Sequence, residues 1–141
     1  MANDAGDFAR SMSIATSGLR AQAGRMRVIS ENIANADSTA PTAGGDPYRR
    51  KVPTFTSELD RTLDAKVVAL GKVRPDSSAF RVKHEPSNPA ADTAGNVKYP
   101  NVNPLIEMTD MRDAQRSYEA NLNIISATRR MIQRTLDILK A

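Results

Sequence analysis

The sequence has no cysteine and no tryptophan, only three phenylalanines and three tyrosines, and a single histidine, His84, in 141 residues. Without cysteine there is no disulfide, no thiolate metal site and no cysteine nucleophile. One histidine cannot build a multi-histidine metal centre. Aromatics at 4% exclude a thick, aromatic-rich core. No apolar run reaches the roughly 18 residues that a membrane span needs, so no transmembrane segment is expected. The first thirty residues lack a basic stretch followed by an apolar one, so no cleaved secretory signal is expected either. The net charge of +4, from 20 basic and 16 acidic residues, is a mild excess and a weak pointer to a polyanion partner. The length suits one ordinary domain and is too short for two full ones.

What is present is arranged around proline. All eight prolines lie between Pro41 and Pro104, and proline breaks helix interiors. Long helices are therefore confined to the flanks, 1–40 and 105–141. In the first flank Phe8, Met12, Ala15, Leu19, Gln22, Met26, Ile29 and Ile33 alternate at spacings of four and three, a heptad-like seam. In the second, the same spacing selects Met108, Met111, Gln115, Tyr118, Leu122, Ile125, Arg129, Ile132, Leu136 and Leu139. Acidic residues Glu107, Asp110, Asp113 and Glu119 open this helix, and Arg129, Arg130, Arg134 and Lys140 close it, which complements the helix dipole. Gly18 and Gly24 weaken the first helix, at about 1 kcal/mol each relative to alanine, so it needs a partner.

Each helix also carries a second apolar stripe on another face: Ile14, Ala21 and Val28 on the first, Ile124, Met131 and Ile138 on the second. Rods of roughly 40–50 Å are too long for so small a chain to wrap, which favours bundling with neighbouring subunits over packing against the middle of the chain. Between the helices, strands are expected over 48–57, 66–74, 79–84 and 96–99, with turn-rich loops at 36–47 and 84–96. The fold class is thus mainly α with a small β insert. Residues 1–40 and 104–141 form a discontinuous helical coiled-coil domain, and residues 41–103 form the insert.

The chemistry is sparse. No GxGxxG, GxxxxGK[ST], HExxH or EF-hand loop occurs. His84 beside Glu85 is read as a turn or surface residue, and Asp110 with Asp113 as a solvated first-turn face. No catalytic residue, cofactor site or metal site is expected. The arginines of both helices lack the aromatic interleaving of a nucleic-acid binder, which leaves that reading behind assembly. A free-standing coiled-coil adaptor is the other alternative.

Three motifs then point to one family. Glu31-Asn32-Ile33-Ala34-Asn35-Ala36-Asp37-Ser38, at the end of the first helix, resembles the N-[LI]-A-N-x-x-[ST] signature of bacterial flagellar rod and hook proteins. Ala114 and Arg116-Ser117-Tyr118-Glu119-Ala120-Asn121 resemble the A-x-R-x-Y-E-A-N motif of the same axial family. Gly95-Asn96-Val97-Lys98-Tyr99-Pro100-Asn101-Val102-Asn103 and the upstream Glu85–Asp92 are similar to segments of its short proximal-rod members. The family's G-[YF]-[KR] element resembles Gly45-Asp46-Pro47-Tyr48-Arg49, displaced by an insertion at Thr39–Gly44.

The resemblance implies a structural, non-catalytic subunit of the basal-body rod in the periplasm, exported unfolded by the flagellar type III apparatus. It implies helical assembly, with the terminal helices in an inner coiled-coil layer and the insert outside, serving to transmit torque. Self-association within the rod, other rod proteins and the basal export-gate adaptor would be its partners. Candidate subunit-interface residues are Met12, Leu19, Met26, Ile29, Asn32, Ile33 and Asn35 on the first helix. On the second they are Tyr118, Glu119, Asn121, Leu122, Ile125, Ile132, Leu136 and Leu139. Asn32 and Asn35 are expected to meet free backbone groups at the helix end, where asparagine tolerates a left-handed turn, and also to bond to adjacent subunits.

Overall fold

A computed structural model describes residues 2–140. Helix α1 runs Ala2–Ala34 and helix α2 runs Pro104–Lys140. Between them lie β1 (Lys51–Val52), β2 (Phe55–Asp60), β3 (Ala65–Leu70), β4 (Arg74–Pro75), β5 (Arg81–His84) and β6 (Asn96–Tyr99). These pair as three separate two-stranded antiparallel sheets, β1 with β4, β2 with β3 and β5 with β6. The expected plan of helix, small β region and helix is what the chain adopts. The first expected strand is split at Pro53, which cannot donate to a ladder.

Two compact units divide the chain, with boundaries inside both helices. The first joins α1 as far as Met26, the segment Thr54–Lys72 and α2 from Asp113 onward. The β2–β3 hairpin lies lengthwise along α1 here. Arg10 Nε donates to the Leu63 carbonyl at the hairpin turn (2.7 Å), and Ser17 Oγ accepts the Val68 N–H (3.2 Å). At Gly24 an added Cβ would sit 2.7 Å from Leu70 Cδ2, so the missing side chain admits the strand. The turn is closed by Asp60, whose carboxylate accepts the Thr62 N–H, and by Asp64 at φ 47°.

The second unit comprises Arg27–Pro53 and Val73–Arg112. Its apolar centre is Ala90, Val97 and Tyr99, with Ala91 against them. The 85–96 loop is held by Asx turns: Asn88 Oδ1 accepts the Ala90 N–H, and Asp92 Oδ1 accepts from Ala94 and Asn96. α2 starts here for a local reason. Asn103 Oδ1 caps the Leu105 N–H (3.1 Å), and Pro104, which has no N–H to lose, takes the first helical position.

Candidate functional site

The end of α1 presents Asn32 to β1 rather than to solvent. Its side chain is 1% exposed and uses every hydrogen-bonding position it has. Nδ2 donates to the Lys51 carbonyl (2.8 Å) and to Glu107 Oε2 (3.0 Å). Oδ1 accepts from the Lys51 N–H (2.9 Å) and from the Tyr48 hydroxyl (2.9 Å). Glu107, in the first turn of α2 and also 1% exposed, places its other oxygen 2.6 Å from Arg50 Nε. The Arg50 guanidinium then reaches Asp76 (3.4 Å) and Asp110 (3.8 Å), while its backbone N–H donates to Asn101 Oδ1 (2.8 Å). Asn101 Nδ2 donates onward to the carbonyls of Asp76 and Ser78. Lys51 closes the cluster with an ion pair to Glu31.

A buried carboxylate is costly unless paired and bonded, and here it is both. Burial pulls the Arg50 guanidinium down, but Glu107 and Asp76 more than offset that and hold it above its usual value. Burial, aided by the charges of Glu31 and Glu107, pushes the Tyr48 phenol up to about 12. The Ser78 backbone N–H and hydroxyl, with Arg50, hold the Asp76 carboxyl below its ordinary range. These shifts belong to a lock that fixes helix end, strand and helix start together. It contains no nucleophile–base pair, and no cluster of three or more His, Asp or Glu among the described residues could hold a metal. No helix among them is long and apolar enough to cross a membrane.

In the first unit Ala15, Gly18, Ala21, Ala114, Ile125 and Thr128 are buried, and α1 meets α2 at Gly18. An added Cβ at Gly18 would lie 2.8 Å from the Asn121 amide, which itself donates to the Ser117 carbonyl (2.9 Å). Along α2, in both units, many large apolar side chains are exposed: Leu105 is 73% exposed, Ile138 76% and Leu139 65%, and Ile106, Met108, Leu122, Ile124, Met131 and Leu136 are exposed as well, whereas Ile125 is buried. One buried side-chain oxygen among the described residues, Gln22 Oε1, has no partner.

The sequence-derived interface residues therefore divide. Glu119, Leu122, Leu136 and Leu139 are exposed, and Met12, Leu19, Met26, Ile33, Asn35, Tyr118 and Ile132 are half-buried. Asn121 is half-buried and set against Gly18. Ile29, Ile125 and Asn32 are buried within the chain. The Asn32 amide is fully occupied by Lys51, Tyr48 and Glu107. Asn35 Nδ2 donates to the Glu31 carbonyl (2.8 Å), which is not free but also accepts the Asn35 backbone N–H (3.2 Å). The helix end is not left-handed, however, because Asp64 is the one non-glycine at positive φ among the described residues.

Tyr48, Arg50, Lys51, Asp76, Asn101 and Glu107 were not singled out as a site from sequence. The Tyr48-Arg49-Arg50-Lys51 run after Pro47 was the available signal, a dense polar stretch where a strand was expected. His84 is exposed at the end of β5, 3.3 Å from Asn96 Oδ1.

Residues 12–40 match the family model described as "Flagella basal body rod protein", and residues 93–138 match "Flagellar basal body rod FlgEFG protein C-terminal". Relatives named flagellar basal-body rod protein FlgC are similar along nearly the whole chain. That of Agrobacterium fabrum is 56% identical over 128 residues, covering 91% of this chain and 92% of the relative. That of Bacillus subtilis is 37% identical over 145 residues, covering 92% and 97%. That of Salmonella typhimurium is 37% identical over 126 residues, covering 89% and 92%.

Proposed function

Because this chain belongs to the FlgC family of flagellar basal-body rod proteins, we propose that it assembles helically in the proximal rod through its terminal helices and passes torque across the periplasm. It is a structural component of the rod, located in the basal body, and not an enzyme. The observation that carries the assembly reading is the exposed apolar surface of α2, where nine large apolar side chains face outward. Burying a leucine or isoleucine is worth about 1.5–3 kcal/mol, so such a face gains strongly from a partner surface.

Leu122, Leu136, Leu139 and the Ile124, Met131, Ile138 stripe supply two directions of contact on α2. The half-buried Met12, Leu19, Met26, Ile33 and Ile132 complete the helix surfaces. Two faces on one helix suit a coiled-coil layer in which each subunit has several neighbours, as a shaft under torsion requires. Other rod proteins, further copies of this chain and the adaptor at the base of the export gate are the partners, with delivery through the type III apparatus. The test is complementation of a rod-deficient cell with a charged α2 face. An Ile138→Asp, Leu139→Asp chain that still folds and is exported but yields no completed basal bodies supports the reading. Normal motility from that chain overturns it.

A further inference from the structure

The β2–β3 hairpin has one covered edge and one open edge. Gly71 donates its N–H to the Thr54 carbonyl (2.7 Å), and the same register continues from Phe55↔Leu70 to Asp60↔Ala65. Antiparallel ladders alternate between bonded and non-bonded pairs. Thr56, Glu58 and Asp60 therefore spend their backbone groups on β3, whereas Phe55, Ser57 and Leu59 aim theirs away from it. The same alternation turns the Val68 N–H outward on the far side, where Ser17 Oγ meets it at 3.2 Å. The β3 edge is thus covered by α1. Nothing among the described residues pairs with the β2 edge.

That edge carries no proline and no lysine, and its two charges, Glu58 and Asp60, are both acidic. Phe55 is 43% exposed and Leu59 56%, on the same strand face with Ser57 between them. Thr56 and Glu58 occupy the opposite face. The pattern is complementary to its own reverse. With two copies antiparallel about Ser57, Phe55 lies opposite Leu59, Thr56 opposite Glu58 and Asp60 opposite Thr54. No like charges sit directly opposite one another, and about six backbone hydrogen bonds form from groups that point outward.

We propose that the β2 edge is a self-docking surface, and that two copies of the free chain pair there into a four-stranded antiparallel sheet with Ser57 on the two-fold axis. Such a contact closes on itself and cannot propagate into a filament. It belongs to the chain before assembly and occupies a strand edge that would otherwise pair at random. It does not rest on the α2 face and is tested apart from it.

Sedimentation equilibrium of the purified full chain, with S57P and S57C variants, decides the matter. The Ser57 N–H is not used within the hairpin, so S57P leaves the β2–β3 ladder intact and removes a central edge donor. The expected result is a concentration-dependent dimer that S57P converts to monomer with unchanged helical circular dichroism. In the paired sheet the two Ser57 Cα atoms lie about 5.5 Å apart, within reach of a disulfide. Under mild oxidation with diamide, S57C should therefore cross-link on the order of tenfold faster than S87C, a cysteine at an exposed loop position, because pairing raises its effective concentration. A wild-type chain that is monomeric at every concentration overturns the proposal. So does a dimer that survives S57P, which would place the contact on the helices, or an S57C that cross-links no faster than S87C.

Discussion

Asn32 pairs with Lys51 as a neighbouring strand would, its amide donating to the Lys51 carbonyl at 2.8 Å and accepting the Lys51 N–H at 2.9 Å. A helix side chain thereby completes the ladder of β1, whose other edge pairs with β4. Only a carboxamide of this length both donates and accepts at that spacing. Asn32→Asp removes the donor and sets a second carboxylate beside the buried Glu107. We expect it to cost about 3 kcal/mol, read as a lower urea midpoint with unchanged slope. A loss below the usual surface range, about 0.5 kcal/mol, would show that the cluster is not a lock.

Gly18 and Asn121 give a sharper test because two effects oppose. Alanine at position 18 gains about 1 kcal/mol of helix propensity, whereas overpacking against the Asn121 amide costs about 1–3 kcal/mol. Gly18→Ala should therefore destabilise the wild type yet stabilise the Asn121→Ala background. The double-mutant cycle measures that change of sign by thermal unfolding.

Alkaline stability follows from the phenols. The Tyr48 value is raised to about 12 from 10.0, and Tyr99 is raised chiefly by its hydrogen bond to Glu85. A raised folded-state value means that stability is fully present below pH 10 and is lost as pH climbs from there toward 12. Melting temperature plotted against pH should fall across that window, and more gently in Tyr48→Phe. The acid side has the opposite sign. Asp76 is held low, so its contribution is present above its ordinary 3.8 and disappears as pH drops below it. Asp76→Asn should flatten that limb.

The outward α2 face should be dispensable for folding and needed for assembly. Leu136→Asp or Ile138→Asp should change the stability of the isolated chain by no more than about 0.5 kcal/mol. Each should nevertheless abolish incorporation into basal bodies isolated from complemented cells. A variant that unfolds the free chain would place those residues in its own core.

Much of the architecture was legible because proline placement and apolar periodicity act locally. The confinement of Pro41 to Pro104 marks where helices cannot run, and α1 and α2 occupy the flanks it leaves. The buried helix face was legible in part. Ala15, Ile29 and Ile125 of the two seams are buried, but so are Gly18, Ala114 and Thr128, which lie off the seams and carry no large apolar signal. The polar lock escaped for a different reason. Asn32 and Glu107 are 75 positions apart, and no local pattern brings an amide, a carboxylate and Arg50 to one point. Asn32 is marked in the sequence only by its motif, which carries no information on burial.

That same separation has a kinetic side. A chain emerging from its N-terminus, whether from a ribosome or a narrow conduit, presents Asn32 long before Glu107. Until then the amide lacks one acceptor, and Arg50 lacks the anion it touches most closely. The second unit cannot be sealed by a fragment that stops short of α2, because loop closure over so many residues must come before the contacts that reward it. The polar lock therefore closes last: Asn32, Arg50 and Lys51 wait for Glu107, and only a chain that includes the start of α2 can set the second unit.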